Sequence, residues 1–270
     1  AVTVARTALW IAENQMMKET EDIVHMTLDF LPLKTAAHIV EGNALRIEWA
    51  SVVSPSILSY IIGNPPFIGY SLQSDCQKTD ILNIYRDKNG KPYKTAGKID
   101  YVSGWYWKAS EMMQGTEIHT ALVSTNSITQ GEQVAGIWRP LFERFGIHID
   151  FGYRTFIWDS EASSKAHVHC VIVGFSCVHS AQTYTIYSDG TAIDAVNINP
   201  YLVDAETVFI EGRSTPLCDV PQLLNGGKPT EGGYLILTKQ ERDELLSLEP
   251  EASHFIRPYM MGKDFIDRKT

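Results

Sequence analysis

Apolar positions at helical spacing predict three amphipathic helices in the amino-terminal part of the chain. Leu9, Ile11 and Met16 follow this spacing in "ARTALWIAENQMM", and the segments "IDYVSGWYWKASEMM" and "GEQVAGIWRPLFERF" repeat the pattern. Pro140 lies inside the third segment, where a proline kinks or divides a helix. We therefore expect helices at these three places, the last of them kinked or divided.

Short apolar runs between the helices predict strands. Residues 37–40 and the segments "LSYIIGN" and "IHTALVSTNS" are expected to be strands, the first two buried on both faces, and "IHIDFGY" and "AHVHCVIVGFS" an adjacent pair of strands. Strands that alternate with helices and end in an adjacent pair are typical of an α/β fold. We therefore expect a mostly parallel sheet with an antiparallel carboxyl-terminal hairpin at its edge.

From about residue 180 the pattern changes to segments rich in turn residues, such as "YSDGTAIDAVNINPYLVDAE" and "LLNGGKPTEGG". The segment "TKQERDELLSL" predicts a helix that begins with Thr238 and Glu241 as a capping box. We therefore expect two domains: residues 1–179, and residues 180–270, which comprise a linker and the beginning of a second domain.

The composition is that of a globular protein. The chain has 270 residues, of which 44% are hydrophobic and 20% charged, enough to bury a core. No apolar run approaches the roughly 18 residues of a membrane span. The first residues lack the order of charged, apolar and small positions that marks a signal peptide. We therefore expect a soluble, cytoplasmic protein with no membrane partner.

Charge and cysteine content limit the kinds of site. The net charge of -9 argues against a protein that coats nucleic acid, because neutralising phosphates needs clustered Lys and Arg. Any DNA contact is therefore expected to be local or to be made by a part that is not present. The four cysteines contain no CxxC pair, which indicates free thiols and no zinc site: Cys76, Cys170, Cys177 and Cys218.

The segment "YIIGNPPFIGY" carries the clearest chemistry. Ligands of an open α/β sheet bind beyond the carboxyl ends of its strands, which is where this segment places Asn64, Pro65, Pro66 and Phe67. Asn64 offers a side-chain carbonyl, Pro65 a rigidly held backbone carbonyl, and Phe67 a flat apolar face. Together they predict a socket for a planar group that bears an NH₂.

At this point the sequence resembles the S-adenosylmethionine-dependent DNA adenine-N6 methyltransferases of MmeI-like restriction-modification proteins. The matching blocks are "ARTALWIAENQM", "VEGNALRIEW", "GNPPFIGY", "KIDYVSGWYWKA", "ALVSTNSITQGEQ" and "DSEASSKAHVHCVIVGFS". They cover about residues 1–180, and "HFIRPYMMGKDFI" is similar to the entry of that family's target recognition domain. The resemblance implies a Rossmann-like methyltransferase fold and double-stranded DNA as partner.

The resemblance also implies roles for individual residues. Asn64 and Pro65 bind the amino group that is methylated, and Phe67 stacks on an adenine flipped out of the duplex. Phe156 is expected to be a second stacking aromatic, with Trp158 close behind. The adenine amino group of the cofactor is expected at the residue after Gly42.

That cofactor residue is Asn43, where the family more commonly has Asp, and backbone groups of Ala44 are expected to share the contact. No Gly-rich loop follows a strand, so we expect the chain to be a fragment. A fragment of this kind is expected to bind S-adenosylmethionine weakly or not at all and to transfer no methyl group. Its open sheet edge is expected to favour association of chains.

Other readings of single residues carry less weight. His167 and His169 could bind a metal, but their spacing of two puts both on one face of a strand, which favours a structural role. Asp159, Glu161 and Lys165 suggest a nuclease set but lack its spacing. We therefore expect no metal site.

Two further candidates and two alternative functions remain. Asp100 and Tyr101 are candidates for the entrance of the pocket. A protein-glutamine or RNA methyltransferase could use the same tetrapeptide, and a non-catalytic DNA-specificity module could retain the fold. Methyl transfer to duplex DNA distinguishes the DNA methyltransferase from these alternative functions.

Overall fold

A computed structural model of the chain describes residues 2–27, 38–158, 168–178, 183–213, 215–216, 218–221, 231–262 and 266–267. The chain divides into two compact units, residues 1–212 and 213–270. In the first unit, all three expected helices and the four expected strands other than residues 37–40 have a counterpart.

The helices are α1 (Val2–Val24), α2 (Asp75–Ile84), α3 (Ser103–Met112), α4 (Gly131–Phe145) and α5 (Lys239–Leu248). The strands are β1 (Tyr60–Gly63), β2 (His119–Thr125), β3 (His148–Trp158), β4 (Val168–Ser176), β5 (Tyr184–Ser188) and β6 (Thr191–Ala195). Short 3-10 helices are Trp49–Ser51, Pro55–Ile57, Tyr70–Leu72, Ala96–Lys98, Asn126–Thr129 and Pro250–His254.

The strands of the described residues form a six-stranded mixed sheet with the order β1-β2-β4-β3-β5-β6. β1 is parallel to β2 and β3 is parallel to β5, whereas the other three pairings are antiparallel. The α/β class is thereby confirmed. The β3–β4 hairpin lies inside the sheet and not at its edge, because β4 pairs with β2 on one side and with β3 on the other.

Strands β5 and β6 occupy part of the segment that we expected to be a linker. Asp189 and Gly190 join them with φ angles of 50° and 77°, the two positive values of a type I′ hairpin turn. Both strands belong to the first compact unit. The expected boundary between residues 179 and 180 separates two domains of different function, and it stays a prediction.

Aromatic residues of α3, α4 and β4 form the centre of the core. Tyr106 stacks on Phe175 and meets Trp138 edge-on, in each case with ring centroids 5.2 Å apart. Their polar ends are satisfied, because Tyr106 Oη is 2.8 Å from Ser124 Oγ and Trp138 Nε1 donates to the carbonyl of Ile128 at 2.8 Å. This cluster fixes the end of β2 and the turn that follows it.

Helix α4 runs without a break from Gly131 to Phe145 although Pro140 lies inside it. Pro140 itself is buried, and so are Ile137 and Leu141 on either side of it. Both halves therefore pack on the same core, which outweighs the loss of one backbone hydrogen bond.

The amino-terminal elements differ from expectation in burial. We expected β1 to be buried on both faces, but Tyr60 is 69% and Ile62 80% exposed. Among the described strands, β1 lies at the edge of the sheet and pairs with β2. Residues 38–40 form no strand, and residue 37 lies outside the described residues. Helix α1 has no buried residue.

The second unit contains the capping box predicted at α5. Thr238 Oγ1 accepts from the backbone N–H of Glu241, and a Glu241 carboxylate oxygen accepts from the backbone N–H of Thr238 at 2.8 Å. The pKa of Glu241 is lowered by this backbone hydrogen bond. The four cysteines are free thiols, as predicted. None of the helices in the described part of the chain has the length and apolar character to cross a membrane.

Candidate active site

The tetrapeptide after β1 lies at the carboxyl edge of the sheet. β1 and β2 are parallel, so the loops that follow them leave the sheet on the same side. Pro65 is buried, Asn64 and Pro66 are exposed, and Phe67 is half-buried. Within the described ranges, no protein group is hydrogen-bonded to the Asn64 side chain or to the Pro65 carbonyl. In the described ranges, two hydrogen-bond acceptors next to an aromatic residue therefore have no protein partner.

The residues just after the tetrapeptide hold this loop in place. The carbonyl of Ile68 accepts from the backbone N–H of Tyr101, and the backbone N–H of Tyr70 donates to Asp100 Oδ1, both at 2.9 Å. Ser127 Oγ donates to Asp100 Oδ2 at 2.5 Å, which ties the loop after β1 to the loop after β2. The loop is thus fixed without using the side chain of Asn64 or the carbonyl of Pro65.

Asp100 and Tyr101 do not line a pocket entrance as we expected. Asp100 is 6% and Tyr101 4% exposed, and both support the loop from inside the protein. The reason is local: Asp100 accepts from a neighbouring backbone N–H and a hydroxyl, and a buried carboxylate needs such donors.

The loop that contains Asn43 and Ala44 is a tight turn. Asn43 Oδ1 accepts a hydrogen bond from the backbone N–H of Leu45 at 2.9 Å. The backbone carbonyl of Asn43 accepts one from the backbone N–H of Arg46, also at 2.9 Å. Leu45 is buried in the core, and Trp49 Nε1 donates to the carbonyl of Ala44 at 2.8 Å. The turn is therefore pinned by one apolar side chain and several hydrogen bonds.

Asp80 of α2 is the centre of a polar network behind this turn, and the sequence analysis did not identify it. Arg46 Nε and Nη2 donate to its two carboxylate oxygens at 2.7 and 3.3 Å. Asn43 Nδ2 and Tyr101 Oη donate to Oδ2 at 3.0 and 3.2 Å. Tyr101 thus contacts Asp80 through its hydroxyl and the loop after β1 through its backbone, so it links the two loops.

The network keeps its donors protonated. The pKa of Arg46 is raised chiefly by its hydrogen bond to Asp80. Burial raises the pKa of Tyr101 most, the hydrogen bond with Asn43 lowers it, and the charge of Asp80 raises it further. Near neutral pH Arg46 therefore stays charged and Tyr101 stays neutral, so both remain hydrogen-bond donors to Asp80.

Phe156 lies on β3 among other aromatic rings. Its ring centroid is 5.4 Å from that of Tyr153 and 6.4 Å from that of Trp158. In the sheet, Phe156 is level with Cys170 of β4, which is level with Thr125 at the end of β2. Three strand spacings of about 4.8 Å separate β3 from β1, so Phe156 is roughly 14 Å from the tetrapeptide along the sheet. The second stacking aromatic stays a prediction.

Four residues of the alternative readings lie outside the described residues: Asp159, Glu161, Lys165 and His167. His169 is on β4, exposed and level with Ile157 of β3. The structural role that we favoured for the two histidines stays a prediction.

Two family models match the chain. The model described as MmeI, DNA-methyltransferase domain, matches residues 1–188, and the one described as MmeI, target recognition domain, matches residues 204–270. The resemblance drawn from the sequence blocks is thereby confirmed.

Two relatives cover nearly the whole chain. "DNA methyltransferase A" of Bacillus subtilis (strain 168) is 38% identical over 268 residues, 98% of this chain and 30% of the relative. A solved structure of the Type IIL restriction-modification enzyme MmeI in complex with DNA is 38% identical, with a TM-score of 0.84 over 97% of this chain and 35% of that one. The Rossmann-like methyltransferase fold is thereby confirmed. The chain spans about a third of the length of these relatives.

Proposed function

We propose that this chain, which belongs to the MmeI DNA-methyltransferase family, forms part of a restriction-modification enzyme that methylates one adenine at N6 within a specific duplex DNA site. One observation carries the proposal. Among the described residues, the acceptors of Asn64 and Pro65 have no protein partner; they lie at the carboxyl edge of the sheet, next to Phe67, in a loop that Asp100 and Tyr101 hold in place. The matched relatives are a DNA methyltransferase and a restriction-modification enzyme in complex with DNA, which supports the same function.

The proposed chemistry follows from these three residues. The exocyclic amine of adenine is a poor nucleophile because its lone pair is delocalised into the ring. Asn64 and Pro65 accept hydrogen bonds from its two N–H groups and favour a pyramidal nitrogen. Its lone pair is then available for a direct displacement, in which the new C–N bond would replace the methyl group's bond to sulfur and the nitrogen would release one proton to water. Phe67 stacks on the base, which must leave the duplex to reach the loop.

S-adenosylmethionine is the proposed cofactor, and it supplies a methyl group on a positively charged sulfur that an amine can attack directly. Asn43 Oδ1 accepts one hydrogen bond, from Leu45, and has a second lone pair. The backbone N–H of Ala44 has no hydrogen-bond partner in the described part of the chain. An acceptor next to a donor matches the amino group and ring nitrogen of adenine, so Asn43 and Ala44 fit the adenine end of this cofactor.

The test replaces Asn64 by Ala in the full-length protein that contains this chain. Methylation of duplex DNA is expected to fall by about 100-fold or more, because the lost acceptor acts chiefly in the transition state. DNA binding is expected to be unchanged. N6-methyladenine is measured by mass spectrometry, and binding by gel shift.

Asn89→Ala is the matched control, since Asn89 is also an exposed loop asparagine. Near-normal methylation by the Asn64→Ala variant would contradict the mechanism. Transfer by the unaltered protein to RNA or to a protein glutamine, but not to duplex DNA, would establish the alternative substrate classes.

A further inference from the structure

The side-chain amide of Asn43 can adopt one orientation in this structure. A carboxylate accepts hydrogen bonds and donates none, so the atom of Asn43 that faces Asp80 Oδ2 at 3.0 Å is Nδ2. A backbone N–H donates and accepts none, so the atom that faces Leu45 N at 2.9 Å is Oδ1. The two contacts agree, and the stronger of them is the one to the charged group.

Asp80 is well placed to impose this orientation. It is 6% exposed on a helix, and two nitrogens of Arg46 hold both of its oxygens. The hydroxyl of Tyr101 lies 3.2 Å from Asp80 Oδ2 and 3.4 Å from Asn43 Nδ2, so it closes the network on the third side. A buried carboxylate with this many donors is rigid, and it rejects any neighbour that presents an acceptor.

We propose that Asp80 is a positioning residue that fixes the amide of Asn43 with its nitrogen toward Asp80 and its oxygen away from it, and so makes the site select a ligand with an amino group over one with a carbonyl in the same place. Adenosine carries the amino group and inosine the carbonyl. The inference rests on the proposed function in one respect, namely that Asn43 contacts the adenine of the cofactor. It adds a residue that acts through Asn43 and touches no ligand itself.

The experiment measures the dissociation constants of S-adenosylhomocysteine and S-inosylhomocysteine by calorimetry with the full-length protein. The unaltered protein is expected to prefer the adenosyl ligand by about 10-fold or more, because inosine would face Asn43 Oδ1 with a second acceptor. In Asp80→Asn the preference is expected to fall by at least about 3-fold, since an amide at 80 accepts or donates and leaves only the weaker contact with the N–H of Leu45 to set the orientation of Asn43.

A double variant separates positioning from a general structural role. Asn43→Asp alone places two carboxylates side by side and is expected to weaken adenosyl binding by about 10-fold or more. Asn43→Asp combined with Asp80→Asn is expected to restore both affinity and preference, because a carboxylate at 43 is an acceptor in either orientation. Asp75→Asn, an exposed carboxylate on the same helix, is the control that should change neither value.

The outcomes are distinct. An Asp80→Asn variant that weakens both ligands equally, with the preference unchanged, overturns the positioning role and leaves the proposed function intact. An unaltered protein that binds both ligands equally also overturns it. If the unaltered full-length protein binds neither ligand, the proposed function fails and the inference with it.

Discussion

The two loops at the candidate active site are held in opposite ways. In residues 64–67 the polar groups of Asn64 and Pro65 make no protein hydrogen bond within the described structure, and the support comes from backbone contacts further along the chain. In residues 43–46 the side chains of Asn43 and Arg46 are engaged by Asp80. Under the proposed function, the first loop leaves both acceptors without a protein partner for the reacting amine, whereas the second loop presents one acceptor whose orientation its neighbours set.

The comparison predicts the largest effect at Asp100, the support of the first loop. Asp100→Ala leaves the backbone N–H of Tyr70 and the hydroxyl of Ser127 without their acceptor, so we expect the free energy of unfolding to fall by about 3 kcal/mol. Methylation by the full-length protein should fall further than cofactor affinity, which should change less than about 3-fold. Thermal unfolding, methylation rate and calorimetry measure the three quantities.

Asp87→Ala is the control for this change, because Asp87 also accepts from two backbone N–H groups, those of Asn89 and Lys91, in a turn. It should lower stability without a selective loss of methylation. If Asp100→Ala lowers cofactor affinity and methylation to the same extent, the two loops are not supported separately.

A smaller effect is expected at Tyr101, which touches both loops. Tyr101→Phe removes the hydroxyl next to Asp80 and Asn43 but keeps the backbone N–H that holds Ile68. Cofactor affinity is expected to fall roughly 5-fold, about 1 kcal/mol, while the rate at saturating cofactor stays unchanged. Titration of the methylation rate with cofactor separates the two.

Tyr93→Phe is the matched variant, since Tyr93 packs its ring on Trp107 and its hydroxyl has no hydrogen-bond partner in the described residues. A drop in the saturated rate of Tyr101→Phe, with affinity intact, would place the hydroxyl on the side of the first loop.

The smallest effect is expected where β2 and β3 begin, at the end of the sheet away from the candidate active site. There His119, His148 and Ser176 surround Asp150. Burial raises the pKa of Asp150, but the hydrogen bonds from these three residues outweigh it, so the pKa lies below its usual range. A lowered pKa means that the carboxylate stabilises the fold above the unfolded pKa of about 3.9 and that this contribution is lost as the pH falls through the folded pKa.

Asp150→Asn should therefore be less stable than the unaltered protein by under about 1 kcal/mol at pH 7, and the difference should shrink as the pH falls from about 5 to about 3. Thermal unfolding across this range measures it. Cofactor and DNA binding at pH 7 should not change. A difference that grows on acidification would show that the carboxylate does not carry the stabilisation.

Local signals in the sequence predicted the first loop but not the second. The amide and two prolines after β1 mark a strand end by their own chemistry, so Asn64 and Pro65 could be placed at the carboxyl edge. Asp80 could not be found this way, because its partners Asn43 and Tyr101 are 37 and 21 positions away and meet it through packing alone.

The sequence around β5 and β6 contains a hairpin signal, which the prediction of a linker rich in turn residues did not use. The Asp189–Gly190 pair is a strong hairpin sequence, and its two positive φ angles form the expected turn. The exposure of Tyr60 and Ile62 on β1 could not be predicted from the sequence. A short apolar run does not show which faces of a strand are covered by other elements.

The position of β4 between β2 and β3 sets an order of events during synthesis. When β2 leaves the ribosome its neighbour β4 is still about forty residues from being made, and at about 5–20 residues per second that interval lasts several seconds. In the folded sheet β3 pairs with the far side of β4, so β2 gains its native partner on that side only after β4 has been made. The loops that form the candidate site are therefore translated before the strand that completes the sheet between β2 and β3.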